Sequence, residues 1–463
     1  DGNGADSGHV RVFQNESGTW TQVGLDIDGE ASGDRSGTSV SLSADGSVVA
    51  IGAQQNDGNG SNSGHVRLYK NVSGTWTQVG LDIDGAGIYD YSASSVALSA
   101  DGSVVAIGAS SHWGTGSVSG HVRVYRDVSG LWTQVGTDID GEAGGDRSGT
   151  SVSLSADGSI VAIGAPENDG AGSAAGHVRV YRNESGTWTQ VGLDIDGEAA
   201  GDRSGGSVSL SGDGSVVAIG APQNDGSGSS SGQVRVYQNE SGTWTQVGGD
   251  IDGEAANDYF GWSVSLSADG GVVAIGAYGN DGNGADSGQA RVYRNESGTW
   301  TQVGMDIDGE SGFDDSGWSV SLSADGYVLA IGAIANDGTA GDAGQTRVYQ
   351  VFEKEVVWSQ VGMDIDGESG GDASGNSVSL SADGSVVAIG APGNDGNGAA
   401  AGHVRLYSNV SGTWSQVGSD IDGEASLDQF GSSVSLSADG SVVAIGAPYN
   451  DGNGSNYGHV RVY

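Results

Sequence analysis

From Ser151 to Ala165 the chain alternates polar and apolar residues (SVSLS), breaks at Ala-Asp-Gly, and resumes as a nearly continuous apolar run (SIVAIGA). Period-two alternation marks a half-buried strand, and a short apolar run between turn residues marks a buried one. Asp-Gly between them signals a tight hairpin. Two more stretches of the same character follow, HVRVY and TWTQVG, bounded by Gly, Asn or Ser. The pattern predicts four strands: a over Ser151–Ser155, b over Ser159–Ala165, c over His177–Tyr181 and d over Thr187–Gly192. Nowhere do apolar positions follow the 3.6-residue period of an amphipathic helix.

This pattern recurs along the whole chain. The aspartate of the a–b turn stands at Asp45, Asp101, Asp157, Asp213, Asp269, Asp325, Asp383 and Asp439. The tryptophan of strand d stands at Trp20, Trp76, Trp132, Trp188, Trp244, Trp300, Trp358 and Trp414, and both series step by 56 residues with one step of 58. Four antiparallel strands in a period of this length fit the blade of a β-propeller. The expected fold is therefore all-β, a single β-propeller domain over residues 1–463 with about eight blades. Seven blades and a leftover repeat is the alternative. The chain opens in mid-repeat, as expected of a mature or trimmed piece. Strand c occurs once more than the others, at Val10–Phe13 and again at Val460–Tyr463. An N-terminal strand d completing the last blade would close the ring, and the two end copies of c would compete for one place. A spare edge strand is a means of pairing with another molecule.

Strand alternation puts the d–a and b–c loops on one face of the disc and the a–b and c–d turns on the other. The first face then collects the acidic loops of every repeat: Asp26, Asp28, Glu30 and Asp34 with Asp57 and Asn59; Asp194, Asp196, Glu198 and Asp202 with Asn168 and Asp169; Asp306, Asp308, Glu310 and Asp314 with Asp337. Several oxygen donors on flexible glycine loops suit Ca²⁺, the candidate cofactor. Asp and Asn equally serve as turn residues, with Gly supplying positive φ. A catalytic carboxylate pair is needed once, whereas this pattern repeats, and no Ser-His-Asp arrangement stands out. The chain is accordingly expected not to be an enzyme.

Charge narrows the partners. Acidic residues number 59 against 17 basic ones, a formal net charge of −42. Nucleic acid and anionic membrane surfaces both require a basic stripe, and none exists here. No run approaches the roughly 20 apolar residues of a membrane span, so direct membrane insertion is not expected. Cysteine is absent, which removes disulfides and thiolate metal sites. Nine arginines take one place in strand c (Arg179 and its equivalents), where pairing with nearby carboxylates is expected. Six of the seven histidines precede that strand and read as edge or turn residues (His9, His65, His121, His177, His403, His459). The repeated tryptophan is expected to pack between blades.

A function not shared by all blades belongs where the repeat is broken. The second full copy replaces both acidic-face loops, by DGAGIYDYSAS and SSHWGTGS, and so offers Tyr89, Tyr91, His112 and Trp113 as a ligand-binding cluster. Exposed aromatics on a polar surface suit a sugar or a peptide. Tyr259, Phe260, Trp262, Phe313 and Trp318 form a second group at the start of strand a, either lining the channel mouth or packing in the core. On the opposite face, Asn15, Asn71, Asn183, Asn239, Asn295 and Asn409 begin N-x-S sequons, candidate glycosylation sites, and Asn59 and Asn453 also qualify.

The copies beginning Phe260-Gly261 and Phe430-Gly431, and the Gly-Ala-Pro tripeptides at Gly164–Pro166, Gly220–Pro222, Gly390–Pro392 and Gly446–Pro448, resemble the FG-GAP repeats of integrin-α-type propellers. The GHVRVY…SGTWTQVG…DIDGEA style is similar to that of secreted or surface-anchored adhesin-like proteins. Most copies carry another pair in place of Phe-Gly, and the family's calcium loop between strands a and b is reduced to one carboxylate. The resemblance implies extracellular or cell-surface recognition or adhesion, with a protein or glycan ligand. The alternative is a subunit of an extracellular filament or sheath, self-associating through its end strands or acidic faces.

Overall fold

A computed structural model describes residues 5–114, 117–352 and 355–450. These form eight antiparallel sheets arranged as the blades of a propeller. In the repeat used above, strand a (Ser151–Leu154), strand b (Ile160–Ala165), strand c (His177–Glu184) and strand d (Thr187–Gln190) pair in that order. A fifth element was not anticipated. The two-residue strand e (Ile195–Asp196) pairs with the start of c, joining His177 to Asp196 and Val178 to Ile195. Strands d and e therefore share the outer edge of c. Between them the chain turns at Gly192, whose φ of +73° is open to glycine at little cost. The loop aspartates Asp28, Asp196 and Asp308 accordingly lie in strand e and not in a loop.

Alternation within the strands builds the core between blades. Val161 and Ile163 of strand b point toward the preceding blade, with Tyr181 and Trp188, and meet Val104, Ala106, Val122 and Val124. Ala162, Val178 and Val180 point the other way, against Leu210, Val217 and Ile219. Trp188 packs between blades as expected. The ladder arginines stitch blades together through backbone: Arg291 Nη2 donates to the Asp252 carbonyl (2.7 Å) and Arg347 Nη2 to that of Asp308 (2.6 Å). Carboxylates stand farther off, as with Arg291 and Glu254 at 3.7 Å.

Strand a is innermost. Its serine accepts a backbone N–H from the next strand a, as from Leu210 to Ser153 Oγ (3.0 Å). Beyond it runs a closed belt. The N–H of Ala44 donates to the carbonyl of Ala100, Ala100 to Ala156, Ala156 to Gly212 and Gly212 to Ala268. Ala268 donates to Ala324, Ala324 to Ala382, Ala382 to Ala438, and Ala438 returns to Ala44, every bond 2.8–2.9 Å. The ring of blades is closed by the N-terminus: the strand His9–Glu16 pairs with Val442–Ala447, His9 opposite Ala447. The N-terminal copies of both c and d thus complete the last blade. The competing copy at Val460–Tyr463, with His459 and Asn453, lies outside the described residues.

Candidate functional site

The b–c and d–a loops share a face because they are zipped together by backbone bonds: Arg203 N–H donates to Ala174 O (3.1 Å) and Ser204 N–H to Ala175 O (2.9 Å). Each acidic loop is held by its last aspartate. Asp202 is buried and accepts from the N–H groups of Glu198 (3.1 Å) and Ala199 (2.8 Å) and from Asn224 Nδ2 (3.1 Å) of the next blade. Asp34 and Asp314 repeat this, with Asn56 and Asn336 as partners. Asp26, Asp194 and Asp306 accept from Gln22, Gln190 and Gln302 (2.6–2.7 Å), and Asp57 accepts the N–H of Asn62 (2.7 Å). The carboxylates expected to gather round calcium are therefore divided among separate turn and loop contacts. Among the described residues, every group of three converging ligand side chains contains a histidine: Glu30–His65–Asp82, Glu142–His177–Asp194, Glu368–His403–Asp420 and His112–His121–Asp140. Such mixed nitrogen and oxygen donors do not make the all-oxygen shell that calcium takes.

These histidines are not edge residues. His65, His121, His177 and His403 are fully buried, and neither ring nitrogen of any of them has a hydrogen-bond partner. Burial, then the neighbouring ladder arginine, lowers the pKa of His65, His177 and His403 to about 4, so they are neutral at pH 7. Burial, then the nearby Asp82 and Asp194, raises Glu30 and Glu142. Where strand c begins with glutamine the same place carries an amide donor: Gln233 Nε2 donates to Glu198 (3.0 Å) and Asp252 (3.2 Å).

The cluster expected in the second copy does not converge. Tyr89 and Trp113 are exposed, and no ring contact joins Tyr89, Tyr91 and Trp113. His112 turns instead to Asp90 (Nδ1 to Oδ1, 3.0 Å) and to His121, ring centroids 3.9 Å apart.

A different site lies at the channel mouth, where side chains change from repeat to repeat. One place in each d–a loop is filled by Arg35, Tyr91, Arg147, Arg203, Tyr259, Asp315, Ala373 and Gln429. All eight have φ between 50° and 55°, the left-handed region that non-glycine residues seldom enter. Three residues on, beside strand a, stand Thr38, Ser94, Thr150, Gly206, Trp262, Trp318, Asn376 and Ser432. A cavity of about 280 Å³ opens here, lined among others by Arg147, Glu167, Arg203, Pro222, Tyr259 and Trp262. Arg203 pairs with Glu167 at 3.2 Å. Tyr259 stacks on Tyr278 (5.1 Å, 2° between planes), while Trp262 meets Tyr278 (4.9 Å) and Trp318 (5.3 Å) across the blade junction. Burial, followed by Asp286, Asp314 and Asp342, raises the Asp315 carboxyl to about 6. Of the second aromatic group only Phe260 is core, lying under Arg291; Trp262 is 40% and Phe313 65% exposed. Aligning the repeats on their turn aspartate reveals this ring, because its residue changes while the aspartate before it does not.

On the opposite face the sequon asparagines cap their turns, Asn15 Oδ1 accepting from Gly18 N–H and Asn183 Oδ1 from Gly186 N–H, both 2.8 Å. Asn71, Asn239, Asn295 and Asn409 do the same.

Comparison with known proteins bears on these features. The FG-GAP repeat family matches residues 25–69, 193–237, 251–293 and 419–463. No curated protein matches the chain. Among solved structures it is similar to the periplasmic gluconolactonase of Pseudomonas aeruginosa (17% identity, 78% of this chain and 92% of that one, TM-score 0.49). A candidate 6-phosphogluconolactonase from Bacteroides uniformis gives 13% identity over 78% and 97%, TM-score 0.49. The β-propeller domain of Myceliophteria thermophila Cps50 (Swd1) gives 11% over 76% and 96%, TM-score 0.45. Likeness at this level shows the fold alone. The expectation that the chain is not an enzyme is withdrawn, as two lactonases stand among the similar propellers.

Proposed function

We propose, from the premise that this chain carries FG-GAP repeats on an eight-bladed propeller, that it is an extracellular recognition or adhesion module binding at the channel mouth. The repeats on this fold support a recognition or adhesion type of module in general. The observation that carries the finer reading is the clustering of repeat-to-repeat variation at the mouth, around Trp262, Tyr259, Arg147 and Arg203. A ligand contacting a symmetric ring from the axis meets all blades, and one-off residues there break the symmetry for it. Flat aromatic faces beside arginine donors suit a carbohydrate, with a protein segment as the other candidate ligand. Three of the six arginines outside the strand-c ladder stand in this one ring (Arg35, Arg147, Arg203). On a chain of net charge −42 these guanidinium donors favour an anionic ligand group, a kind of group that Arg203 already meets in Glu167.

A glycan array probed with the full chain tests the carbohydrate reading. Binding should fall at least about tenfold in Trp262→Ala, corresponding to about 1.4 kcal/mol, and persist in Trp113→Ala. Equal binding by Trp262→Ala would remove the mouth as the site. A filament subunit remains the second reading because the sequence carries two end copies of strand c and the N-terminal one fills the last blade's place for that strand. Light scattering of the chain with and without residues 451–463 distinguishes them: assembly lost on deletion supports the filament, and a monomer in both cases counts against it.

A further inference from the structure

Eight equivalent places face the start of strand c, and one differs from the rest in two residues at once. At His112 the other repeats have asparagine (Asn56, Asn168, Asn224, Asn280, Asn336, Asn394, Asn450), and at Ala86 they have glutamate. The asparagine normally donates through Nδ2 to the loop aspartate, as Asn56 does to Asp34 (2.9 Å), and accepts through Oδ1 from the glycine two residues on, as from Gly58 (2.7 Å). His112 keeps the first of these roles through Nδ1, 3.0 Å from Asp90 Oδ1. Its Nε2 is thereby left with a lone pair, and it faces a gap. A Cβ placed on Gly114 would lie 3.1 Å from both His112 Nε2 and Asp140 Oδ1, so the two atoms flank the same space. His121 borders it as well. Its ring is fully buried with no hydrogen-bond partner at either nitrogen, and its Nδ1 is 3.9 Å from Asp140 Oδ1. Ligand atoms of the three side chains all fall within 4.8 Å of one another.

We infer that His112, His121 and Asp140 bind a divalent transition-metal ion, with Zn²⁺ as the reference ion. Metal–nitrogen and metal–oxygen bonds of about 2.0–2.2 Å place two donors of one tetrahedral ion roughly 3.4 Å apart. The 3.9 Å between His121 Nδ1 and Asp140 Oδ1 is about 0.5 Å wider than this, a difference that a small rotation of the partly exposed Asp140 carboxylate closes. Two imidazoles and one carboxylate are a zinc-type donor set with a fourth position open to water or a ligand, whereas calcium and magnesium prefer oxygen. Asp90 supplies the outer carboxylate that fixes which nitrogen of His112 faces the metal. The exchange of glutamate for Ala86 removes a carboxylate from this place at the same repeat where the second histidine enters. Where strand c begins with glutamine, its amide bridges the carboxylates by itself, as Gln345 does to Glu310 (3.1 Å) and Asp366 (3.0 Å), and no ion is called for.

The sister repeats also provide the controls. His112→Asn and His121→Gln each install a residue that other blades carry at the same place, so both variants should fold. The full chain, freed of metal by a chelator and titrated with Zn²⁺ and Co²⁺, should take up one tightly held ion per chain with tetrahedral cobalt absorption. Each variant should bind that ion at least a hundredfold more weakly while keeping the metal-free melting temperature. Failure of the full chain to retain Zn²⁺ would overturn the inference. So would uptake unchanged in both variants, which would move the ion to the His–Glu–Asp groups at His65, His177 and His403.

Discussion

Single residues in this molecule take their character from which face of the disc they occupy. On the a–b turns burial pushes Asp157 up, but hydrogen bonds from Ser155 and Ser159 outweigh it and hold the carboxyl below its usual range. At the mouth the balance reverses. Asp315, raised to about 6 by burial and by Asp286, Asp314 and Asp342, binds a proton in the folded chain at a pH where the unfolded chain has lost it. Its contribution is present below the unfolded value near 3.8 and is lost as pH rises through about 6. The buried neutral His65, His177 and His403, lowered to about 4, pull the other way because the unfolded imidazoles bind protons first, so the melting temperature should fall from pH 7.5 to about 5 and Asp315→Asn should steepen that fall. An identical slope in the variant would show that Asp315 contributes nothing to it. Below about pH 4 the depressed turn aspartates act in the same sense as the histidines, and stability should fall further. The turn role of these aspartates is legible from Asp-Gly alone. The burial of His177 is not, because a polar residue after glycine reads as an edge until strand e is known to cover it.

At the scale of the element, the blade is a sheet with two apolar faces, Val161, Ile163, Tyr181 and Trp188 on one and Ile160, Ala162, Val178 and Val180 on the other, each packed against a neighbouring blade. Trp188 is the largest side chain in its junction, and Trp188→Ala should cost about 3–5 kcal/mol in urea unfolding. Its indole N–H is buried without a partner, so Trp188→Phe, which keeps an aromatic ring and removes that group, should cost much less. A loss in Trp188→Ala below about 1 kcal/mol would mean the junction does not depend on it. Four of the five strands are readable from alternation and turn residues. Strand e escapes because two residues carry no period, and its Ile195 stands in a stretch dominated by aspartate. The mouth ring escapes for another reason. No local pattern marks it, and only superposing the copies shows one position drifting among arginine, tyrosine, aspartate, alanine and glutamine.

For the whole molecule, eight acidic loops on one face set a repulsion that the core must overcome. Screening shortens from about 30 Å at 0.01 M salt to about 3 Å at 1 M. The melting temperature should climb over that range with monovalent salt alone, and a flat profile would show that the loop hydrogen bonds already neutralise the field. The belt of backbone bonds from Ala44 round to Ala438 carries a further consequence. Each member is both giver and receiver, and the order is cyclic, so no blade is first and none is last. A sheet stack with two ends exposes unpaired groups at each. Within this belt no N–H or carbonyl of the cycle is left over, and removing any single link would create two at once. The numbering of the repeats belongs to the chain and is invisible to the rim, which by itself does not tell one blade from another.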